Sequence, residues 1–257
     1  MMREALVLIL TAGAVRAEGP LPAGALADYQ LGGAYPPPPG VTVVVRDATD
    51  QPAPGLYNIC YVNGFQTQPG QDWPVDLLLR GPDGAPLADP GWPDEYLLDI
   101  GSDAARAANL QRLRIQLQLC ADTGFDAVEF DNLDSYSRSG GALDLSDTLA
   151  FARLLVEAAD ELGLPAGQKN TAELGRRGRD EAGFAFAVTE ECHRWDECAA
   201  FTEVYGREQV IAIEYADDVR GSFAAACADP DRPGSLILRD RMLTLVGDPD
   251  HVFQVCP

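Results

Sequence analysis

The sequence predicts an α/β fold in which eight parallel strands form a (β/α)8 barrel of the TIM type, with one accessory strand. Segments rich in β-branched residues alternate with segments of helical periodicity, which is the pattern of a parallel sheet covered by helices. A length of 257 residues suits one barrel domain. No glycine-rich loop joins a strand to a helix, and this argues against a dinucleotide-binding fold.

The N-terminus has the pattern of a secretory signal peptide over residues 1–17. Arg3 supplies a positive start, residues 5–15 form a short apolar run, and Ala17 offers a small residue at the cleavage point. The run is too short to span a membrane, and an uncleaved anchor is the alternative interpretation. We therefore expect residues 18–257 to form a single domain that is secreted or periplasmic.

The remaining elements follow from periodicity and from helix-ending residues. Residues 103–120 carry the apolar stripe of a buried helix, and Ser146 can cap a second helix that ends before Gly163. Residues 65–92, rich in proline and glycine, predict a long functional loop. The strand candidates are Tyr29–Leu31, Val41–Val45, Leu56–Gly64, Glu95–Ile100, Ala127–Asp131, Pro165–Asn170, Phe184–Cys192, Val210–Tyr215 and Ser235–Asp240. The accessory strand is either Tyr29–Leu31 or Glu95–Ile100.

The stretch from Asp126 to Tyr136 carries the densest group of polar side chains. Its first residues alternate in character, which places Glu129 and Asp131 together on one face of a strand. Two acids on one strand face are costly to bury unless that face lines a polar site. Asp134 and Tyr136 follow as the strand runs into a loop. The alternative is a solvated loop after an ordinary strand.

Polar residues stand at the end of nearly every predicted strand. In a barrel the carboxyl ends of the strands share one rim, where the chemistry of such enzymes is found. Their convergence predicts a polar active-site cleft. These residues are Asp47, Asn63, Asp99, Glu129, Asp131, Lys169, Asn170, Glu190, Glu191, Glu214 and Asp240.

Lys169 is the one lysine among 19 basic residues, and it stands at a predicted strand end. A compact ammonium can neutralise a buried carboxylate. We expect Glu129, which points inward on the preceding strand, to be its partner. A Schiff-base nucleophile and a chance surface lysine are the two alternatives.

The chain is strongly acidic. Its formal net charge is −21, and loss of Arg3, Arg16 and Glu4 with the leader makes it −22. Such a field repels nucleic acid and anionic membranes and attracts cationic polymers. A general adaptation of the surface to solubility or salt is the alternative.

Six cysteines in an exported chain predict three disulfides. Metal binding is disfavoured because the chain has no CxxC motif and only two histidines. The pairings that position suggests, out of the fifteen that six cysteines allow, are Cys192–Cys198, Cys227–Cys256 and Cys60–Cys120.

The available side chains favour chemistry by paired carboxylates. Neither His193 nor His251 stands at a strand end of this pattern, and no GxSxG motif is present. In glycoside hydrolysis one carboxyl protonates the leaving oxygen and a second acts as nucleophile or base. A lower-ranked alternative is a transferase in which Asp131 and Asp134 bind Mg²⁺ or Ca²⁺.

Seven motifs occur in order between Tyr29 and Tyr215: YQLGG, ICYVNG, EYLLDI, GFDAVEFDNLDSY, GQKN, FAVTEECHRWDEC and IEY. In this order they resemble the endo-α-1,4-polygalactosaminidases of glycoside hydrolase family 114. The resemblance implies a (β/α)8 barrel and secreted or envelope enzymes that cut α-1,4-linked galactosamine polymers. It also implies that Asp131 and a glutamate of the EEC motif are the catalytic pair, and Glu190 matches the family's first glutamate before the cysteine.

We therefore expect a secreted, monomeric glycoside hydrolase that acts on a cationic galactosamine polysaccharide without metal or organic cofactor. Asp131 is the expected nucleophile, because it should lie near the Lys169 ammonium. Glu190 is the expected general acid/base, because it should lie further from that ammonium, in a rim crowded with acids that raises its pKa. Two inward-leaning side chains on strands ~10 Å apart should give a short carboxyl separation and retention of configuration. A non-catalytic barrel that binds a cationic polysaccharide at the cell surface is the alternative function.

Further residues are expected to contact the substrate or to set the charge around the catalytic pair. Three tryptophans could stack on sugar faces, although a buried structural role is the alternative for each. The tryptophans are Trp73, Trp92 and Trp195. The expected contact residues are Tyr29, Asp47, Asp99, Glu129, Asp134, Tyr136, Lys169, Asn170, Glu191 and Glu214.

Overall fold

The structure, a computed structural model, describes residues 20–257. The predicted signal peptide, residues 1–17, lies outside the described residues. Within residues 20–257, no helix is both long enough and apolar enough to cross a lipid bilayer.

One curled sheet of nine strands organises the fold, and the strands lie side by side in chain order. The first eight are parallel, and the ninth pairs antiparallel with the eighth. This arrangement confirms the predicted TIM-type architecture. The strands are β1 (Ala27–Tyr29), β2 (Val43–Asp47), β3 (Tyr57–Asn63), β4 (Ala127–Asp131), β5 (Ala166–Lys169), β6 (Phe186–Glu190), β7 (Val210–Tyr215), β8 (Ser235–Arg239) and β9 (Phe253–Val255).

The helices cover the outside of the sheet. Ser102 caps the first one by accepting a hydrogen bond from the backbone N–H of Ala105. The third is capped by Asp144, which forms a capping box with Asp147, so the prediction of Ser146 as the cap is wrong. The α-helices are α1 (Asp103–Thr123), α2 (Ser135–Arg138), α3 (Leu145–Asp160), α4 (Cys192–Trp195), α5 (Cys198–Tyr205) and α6 (Phe223–Cys227).

Side chains join the first and eighth strands. The backbone N–H of Ala27 donates to Ser235 Oγ at 2.9 Å. Arg239, which is fully buried, bonds the Tyr29 carbonyl and lies 3.1 Å from Asp28. A buried guanidinium is stable only with such partners. These contacts bring β8 back to β1, so the rim of strand ends surrounds one central site.

The interior of the barrel is filled by apolar side chains from alternate strand positions. Val45, Ile59, Ile213 and Ile237 belong to this inner cluster, together with Phe186. Gly167 on β5 is required next to it, because a Cβ there would overlap the Phe186 ring. The barrel is therefore a packed core below the polar rim.

The ninth strand of the sheet is neither of the two segments that were predicted as the accessory strand. The Tyr29 segment forms β1, a barrel strand, whereas Glu95–Ile100 makes only isolated antiparallel bridges with the long loop that begins at residue 65. The regular ninth strand is Phe253–Val255, which was not among the predicted strands. Three residues at a sheet edge carry too little periodicity to mark a strand.

All three predicted disulfides are present. They are Cys60–Cys120, Cys192–Cys198 and Cys227–Cys256. The first ties β3 to α1, the second closes a loop over α4, and the third joins α6 to the segment after β9.

Candidate active site

A cavity of about 710 Å³ opens at the carboxyl ends of the strands. Strands β4, β5 and β6 end there with Asp131, Lys169 and Glu190, and β3 and β7 contribute Tyr61 and Tyr215. The predicted convergence of strand ends therefore places both proposed catalytic carboxylates in one site.

The Lys169 ammonium lies between the two carboxylates. Its Nζ is 3.0 Å from Glu190 Oε2 and 3.3 Å from Asp131 Oδ2, and the side chain is 2% exposed. The rings of Tyr29 and Tyr61 lie 5.4 and 5.8 Å from the same nitrogen. The prediction that Lys169 pairs with Glu129 is therefore wrong, because the ammonium reaches past it to the two rim acids.

Asp131 accepts three hydrogen bonds. Tyr61 donates its hydroxyl to Oδ2 at 2.8 Å, and the backbone N–H of Asn132 donates to Oδ1 at 2.8 Å. The Lys169 ammonium completes the set. Charge-assisted bonds of this kind fix a carboxylate in one orientation.

Glu190 is also held by three donors. Its Oε1 accepts from the Tyr215 hydroxyl, and its Oε2 accepts from Lys169 and, at 3.2 Å, from Asn170 Nδ2. Burial alone would raise the pKa of Glu190, but the ammonium and these hydrogen bonds outweigh it and lower that pKa. The predicted raised pKa is therefore wrong, as is the expectation that Glu190 lies further from Lys169 than Asp131 does.

The residue that follows each of strands β4, β5 and β6 has a left-handed backbone conformation. Asn132, Asn170 and Glu191 have φ values of 64°, 49° and 60°. Side-chain-bearing residues rarely adopt this conformation unless the surroundings impose it. The sharp turn leaves the last side chain of each strand at the rim and lets the Asn132 amide reach Asp131.

Glu129 lies beneath Asp131 and Glu190 and is fully buried. Its Oε1 accepts a hydrogen bond from Tyr29 at 2.7 Å, while its Oε2 has no partner among residues 20–257. Burial raises the pKa of Glu129 to about 8, and the Lys169 charge and the Tyr29 bond offset this only in part. Below that pKa the neutral carboxylic acid is the favoured form of Glu129.

We expect Glu129→Gln to flatten the pH dependence of stability. Between the ordinary pKa of 4.5 and the folded-state pKa of about 8, the folded protein keeps a proton that the unfolded chain has released. The free energy of unfolding of the wild type should therefore fall as pH rises through this window. Glutamine cannot ionise but still accepts from Tyr29. The variant should therefore become more stable than the wild type as pH rises through this window, and the difference should be largest above about pH 8.

Urea unfolding at several pH values measures this effect. The exposed Glu203→Gln is the matched control and should track the wild type across the whole range. Parallel curves for wild type and Glu129→Gln would show that Glu129 does not titrate between these pH values.

Of the ten expected contact residues, five line the cavity, three lie next to it and two lie outside the site. Asp47, Asp134, Lys169, Asn170 and Glu191 line it. Tyr29 and Glu129 lie in the layer below, and the Tyr136 hydroxyl donates to Glu173 at 2.8 Å on the rim. The two exceptions are Asp99 and Glu214.

Glu214 points away from the barrel interior. It precedes Tyr215 on β7, and since Tyr215 faces inward, strand alternation turns Glu214 outward. There it accepts the backbone N–H groups of His193 and Arg194 at 2.8 and 3.2 Å, at the start of α4. The expected role of Glu214 near the substrate is therefore corrected to a structural one.

Asp99 lies outside the cavity because its segment is not a barrel strand. Its carboxylate accepts the backbone N–H of Gly101 at 3.0 Å, and its carbonyl accepts from Asn109 of α1. Asp99 therefore shapes the turn that leads into α1, and the expected substrate contact is wrong.

The three tryptophans have different positions. Trp73 donates its indole N–H to Asn109 and packs against the core, so its role is structural. Trp92 is 63% exposed and lines the main cavity. Trp195 is 58% exposed and lines a smaller neighbouring cavity.

Sequence reasoning missed several site residues. Tyr61 and Tyr215 lie at strand ends, two positions after the inward-facing Ile59 and Ile213, so strand parity could have identified them. Arg241 stacks over Tyr215 at 4.6 Å and pairs with Glu191. Arg241 lies in the loop after β8, where there is no strand alternation from which its position could be predicted.

The arrangement suits acid–base and nucleophilic chemistry by two carboxylates. Since Lys169 Nζ lies 3.3 Å from Asp131 Oδ2 and 3.0 Å from Glu190 Oε2, these oxygens are at most 6.3 Å apart, the sum of the two distances. Asp134, the second ligand that the metal-dependent alternative requires, is paired with Arg138. Among residues 20–257, no three His, Cys, Asp or Glu side chains form a group that could hold a metal ion.

Comparisons with known proteins agree with this architecture. The model of glycoside-hydrolase family GH114 matches residues 11–257. The crystal structure of Aspergillus fumigatus Ega3 in complex with galactosamine has a TM-score of 0.74 and 21% identity, covering 95% of this chain and 100% of that one. The glycoside hydrolase domain of PelA from Pseudomonas aeruginosa has a TM-score of 0.55 and 15% identity, covering 88% and 97%. No curated protein sequence matches the chain.

Proposed function

The chain belongs to glycoside hydrolase family 114, and from this premise we propose that it is an endo-acting enzyme that cleaves α-1,4-linked galactosamine polymers. The observation that carries the proposal is the pair Asp131 and Glu190, held by one buried ammonium at the base of an open cleft. One carboxyl protonates the leaving glycosidic oxygen, and the other attacks or activates the anomeric centre.

The residues around the pair set its charge and geometry. Lys169 keeps two neighbouring acids from repelling each other, and Tyr61 and Tyr215 fix their orientations. Both acids receive three donors, so these contacts do not by themselves divide the roles of nucleophile and acid/base. Asp131 was expected to be the nucleophile because it should lie nearer to the Lys169 ammonium than Glu190 does. Lys169 lies within 3.3 Å of both carboxylates, so this distance no longer supports that assignment.

The acidity of the chain supports a cationic substrate. The net charge is −21, and the main cavity is lined by Asp47, Asp89 and Glu95 besides the catalytic pair. Deacetylated polygalactosamine is a polycation, which such a field would concentrate at the cleft. A neutral galactan would gain nothing from it.

A reducing-end assay on partly deacetylated α-1,4-galactosaminan tests the proposal, with chitosan as the control polymer. We expect new reducing ends from the galactosaminan and none from chitosan. Binding to the galactosaminan without new reducing ends would support the alternative, a non-catalytic polysaccharide-binding barrel. Equal cleavage of chitosan would contradict the proposed linkage specificity.

We further propose that the reaction retains anomeric configuration. The upper limit of 6.3 Å between Asp131 Oδ2 and Glu190 Oε2 supports this, since retaining pairs lie ~5–5.5 Å apart and inverting pairs ~6.5–9.5 Å. Proton NMR of the first-formed product from the α-linked polymer should show the α-anomer. Initial release of the β-anomer would establish inversion instead.

The rate of productive encounter is expected to depend on salt. Raising ionic strength from about 0.1 to 1 M shortens the screening length from ~10 to ~3 Å, so kcat/KM on a deacetylated polymer should fall. The value of kcat at saturation should change much less, because it no longer includes encounter. A kcat/KM that does not respond to salt would assign the acidity to solubility.

The three disulfides support export to an oxidising compartment, and we propose a secreted or periplasmic protein that acts as a monomer. Intact-mass measurement of exported material should give a chain that begins near Glu18 and has no free thiols. A mass that includes residues 1–17 would favour an uncleaved anchor.

A further inference from the structure

A second cavity, of about 290 Å³, lies beside the catalytic site. The two cavities share Asp134, Asn170, Glu190 and Glu191, so a ligand in one is next to a ligand in the other. The second one, called the side cavity here, extends outward from Glu190 between the loop after β5 and helices α4 and α5. Its own lining residues include Glu173, Thr189, Trp195 and Glu197.

The side cavity differs from the main cavity in its charges. The main cavity is lined by Lys169, Arg138 and Arg241 as well as by acids, whereas every charged residue that lines the side cavity is a carboxylate. Glu173 and Glu197 form no salt bridge with any residue in the range 20–257. Burial and the charge of Glu173 raise the pKa of Glu197. A cation bound between them would relieve this repulsion.

A threonine hydroxyl opens onto the same cavity. Thr189 is 2% exposed and lines the side cavity, and its hydroxyl forms no hydrogen bond with another residue in the range 20–257. It is not one of the fully enclosed polar atoms of that range that lack a partner, so solvent reaches it through the cavity. A ligand with hydroxyl or ammonium groups can replace that water as its partner.

A rigid loop presents an aromatic side chain next to these groups. The Cys192–Cys198 disulfide closes a loop of seven residues that carries both Trp195 and Glu197. Arg194 packs over the Trp195 ring at 4.8 Å from its centroid, which holds the exposed indole in place. Exposed indoles beside polar groups are suited to stacking on the apolar face of a sugar.

We propose that the side cavity binds a protonated galactosamine unit next to the cleaved linkage, with Glu173 and Glu197 as the partners of its ammonium group and Trp195 as its stacking platform. This proposal rests on the proposed function and adds a specificity determinant to it. An N-acetylated unit carries no charge and would place a methyl group among carboxylates. The side cavity therefore selects a deacetylated unit at this position.

Kinetics of the double variant Glu173→Gln/Glu197→Gln test the proposal. Glutamine keeps the size of each side chain and an acceptor for Tyr136, but removes the charge. On a deacetylated α-1,4-galactosamine oligosaccharide of several units, kcat/KM should fall by about tenfold or more, mainly through KM. The salt dependence of kcat/KM should become shallower. Glu203→Gln, exposed on the same helix α5, is the matched control and should behave as wild type.

Binding in an inactive background separates this proposal from the proposed function. Calorimetric titration of Asp131→Asn with the deacetylated oligosaccharide should show an affinity that the added double substitution lowers by a similar factor. The N-acetylated oligosaccharide should bind both proteins equally. Unchanged affinity and kcat/KM in the double variant would overturn the side-cavity proposal, even if the enzyme cleaves the polymer. Absence of cleavage by wild type would overturn only the proposed function. The affinity comparison would still test whether Glu173 and Glu197 bind the oligosaccharide, because it does not depend on catalysis.

Discussion

Asp131→Asn and Glu190→Gln are each expected to lower the rate of polymer cleavage by about 10⁴-fold or more, the scale found when one member of a catalytic unit is removed. Both substitutions keep the shape of the side chain and its ability to accept from Tyr61 or Tyr215. The folded structure should therefore persist, which circular dichroism and thermal melting can check.

Glu191→Gln is the matched control for this prediction. Glu191 is the adjacent glutamate of the same motif, but it is paired with Arg241 at 2.9 Å rather than with Lys169. Its loss should cost far less than the loss of Glu190. A fully active Glu190→Gln together with an inactive Glu191→Gln would move the catalytic role to Glu191.

The leaving group then separates the two catalytic roles. An aryl glycoside with a very acidic phenol needs no proton donor, so the variant that lacks the general acid should recover its first step on that substrate. The variant that lacks the nucleophile should stay inactive on both substrates. Recovery in Glu190→Gln alone would establish the expected assignment with Asp131 as nucleophile. Recovery in Asp131→Asn alone would reverse it.

Lys169→Met is expected to lower both stability and activity. The ammonium is buried and lies within 3.3 Å of two carboxylates, so its removal leaves two acids without a counter-charge. Loss of one partner of a buried ion pair typically costs about 3–5 kcal/mol of unfolding free energy. Activity should fall as well, because the carboxylates lose both their spacing and their balance of protonation. Urea unfolding and the polymer assay measure the two effects.

The pH dependence distinguishes a lost ion pair from a packing defect. The pKa of Glu190 is lowered in the folded protein, so its stabilising contribution is present above 4.5 and is lost as pH falls through the folded pKa. The deficit of Lys169→Met should therefore be largest near neutral pH and shrink in acid. Adding Glu190→Gln should recover part of the lost stability, whereas Arg153→Met on the exposed face of α3 should cost little. A deficit that is independent of pH would point to packing alone.

The sequence by itself determined the architecture and the ingredients of the site. Residues 210–215 form β7 with the bounds that the apolar run predicts, and eight of nine strand candidates became barrel strands. The alternation around Glu129 and Asp131 predicted that both face inward, as they do. Local periodicity carries this information because it reports which faces of an element are buried. The exceptions were the Glu95–Ile100 segment and the three-residue strand β9, where periodicity is too short or the pairing is irregular.

Only the tertiary structure decided which side chains meet. Lys169 contacts Asp131 rather than Glu129 because the register of β4 and β5 pairs Glu129 with Gly167, which leaves Lys169 two residues further along, level with Asp131. Glu214 faces outward because Tyr215 occupies the inward position at the end of β7. The register is set by pairing between strands that are distant in sequence, and a shift of one residue reverses every side chain. Alternation along one strand is visible in the sequence, but no local pattern records which residues of neighbouring strands lie side by side.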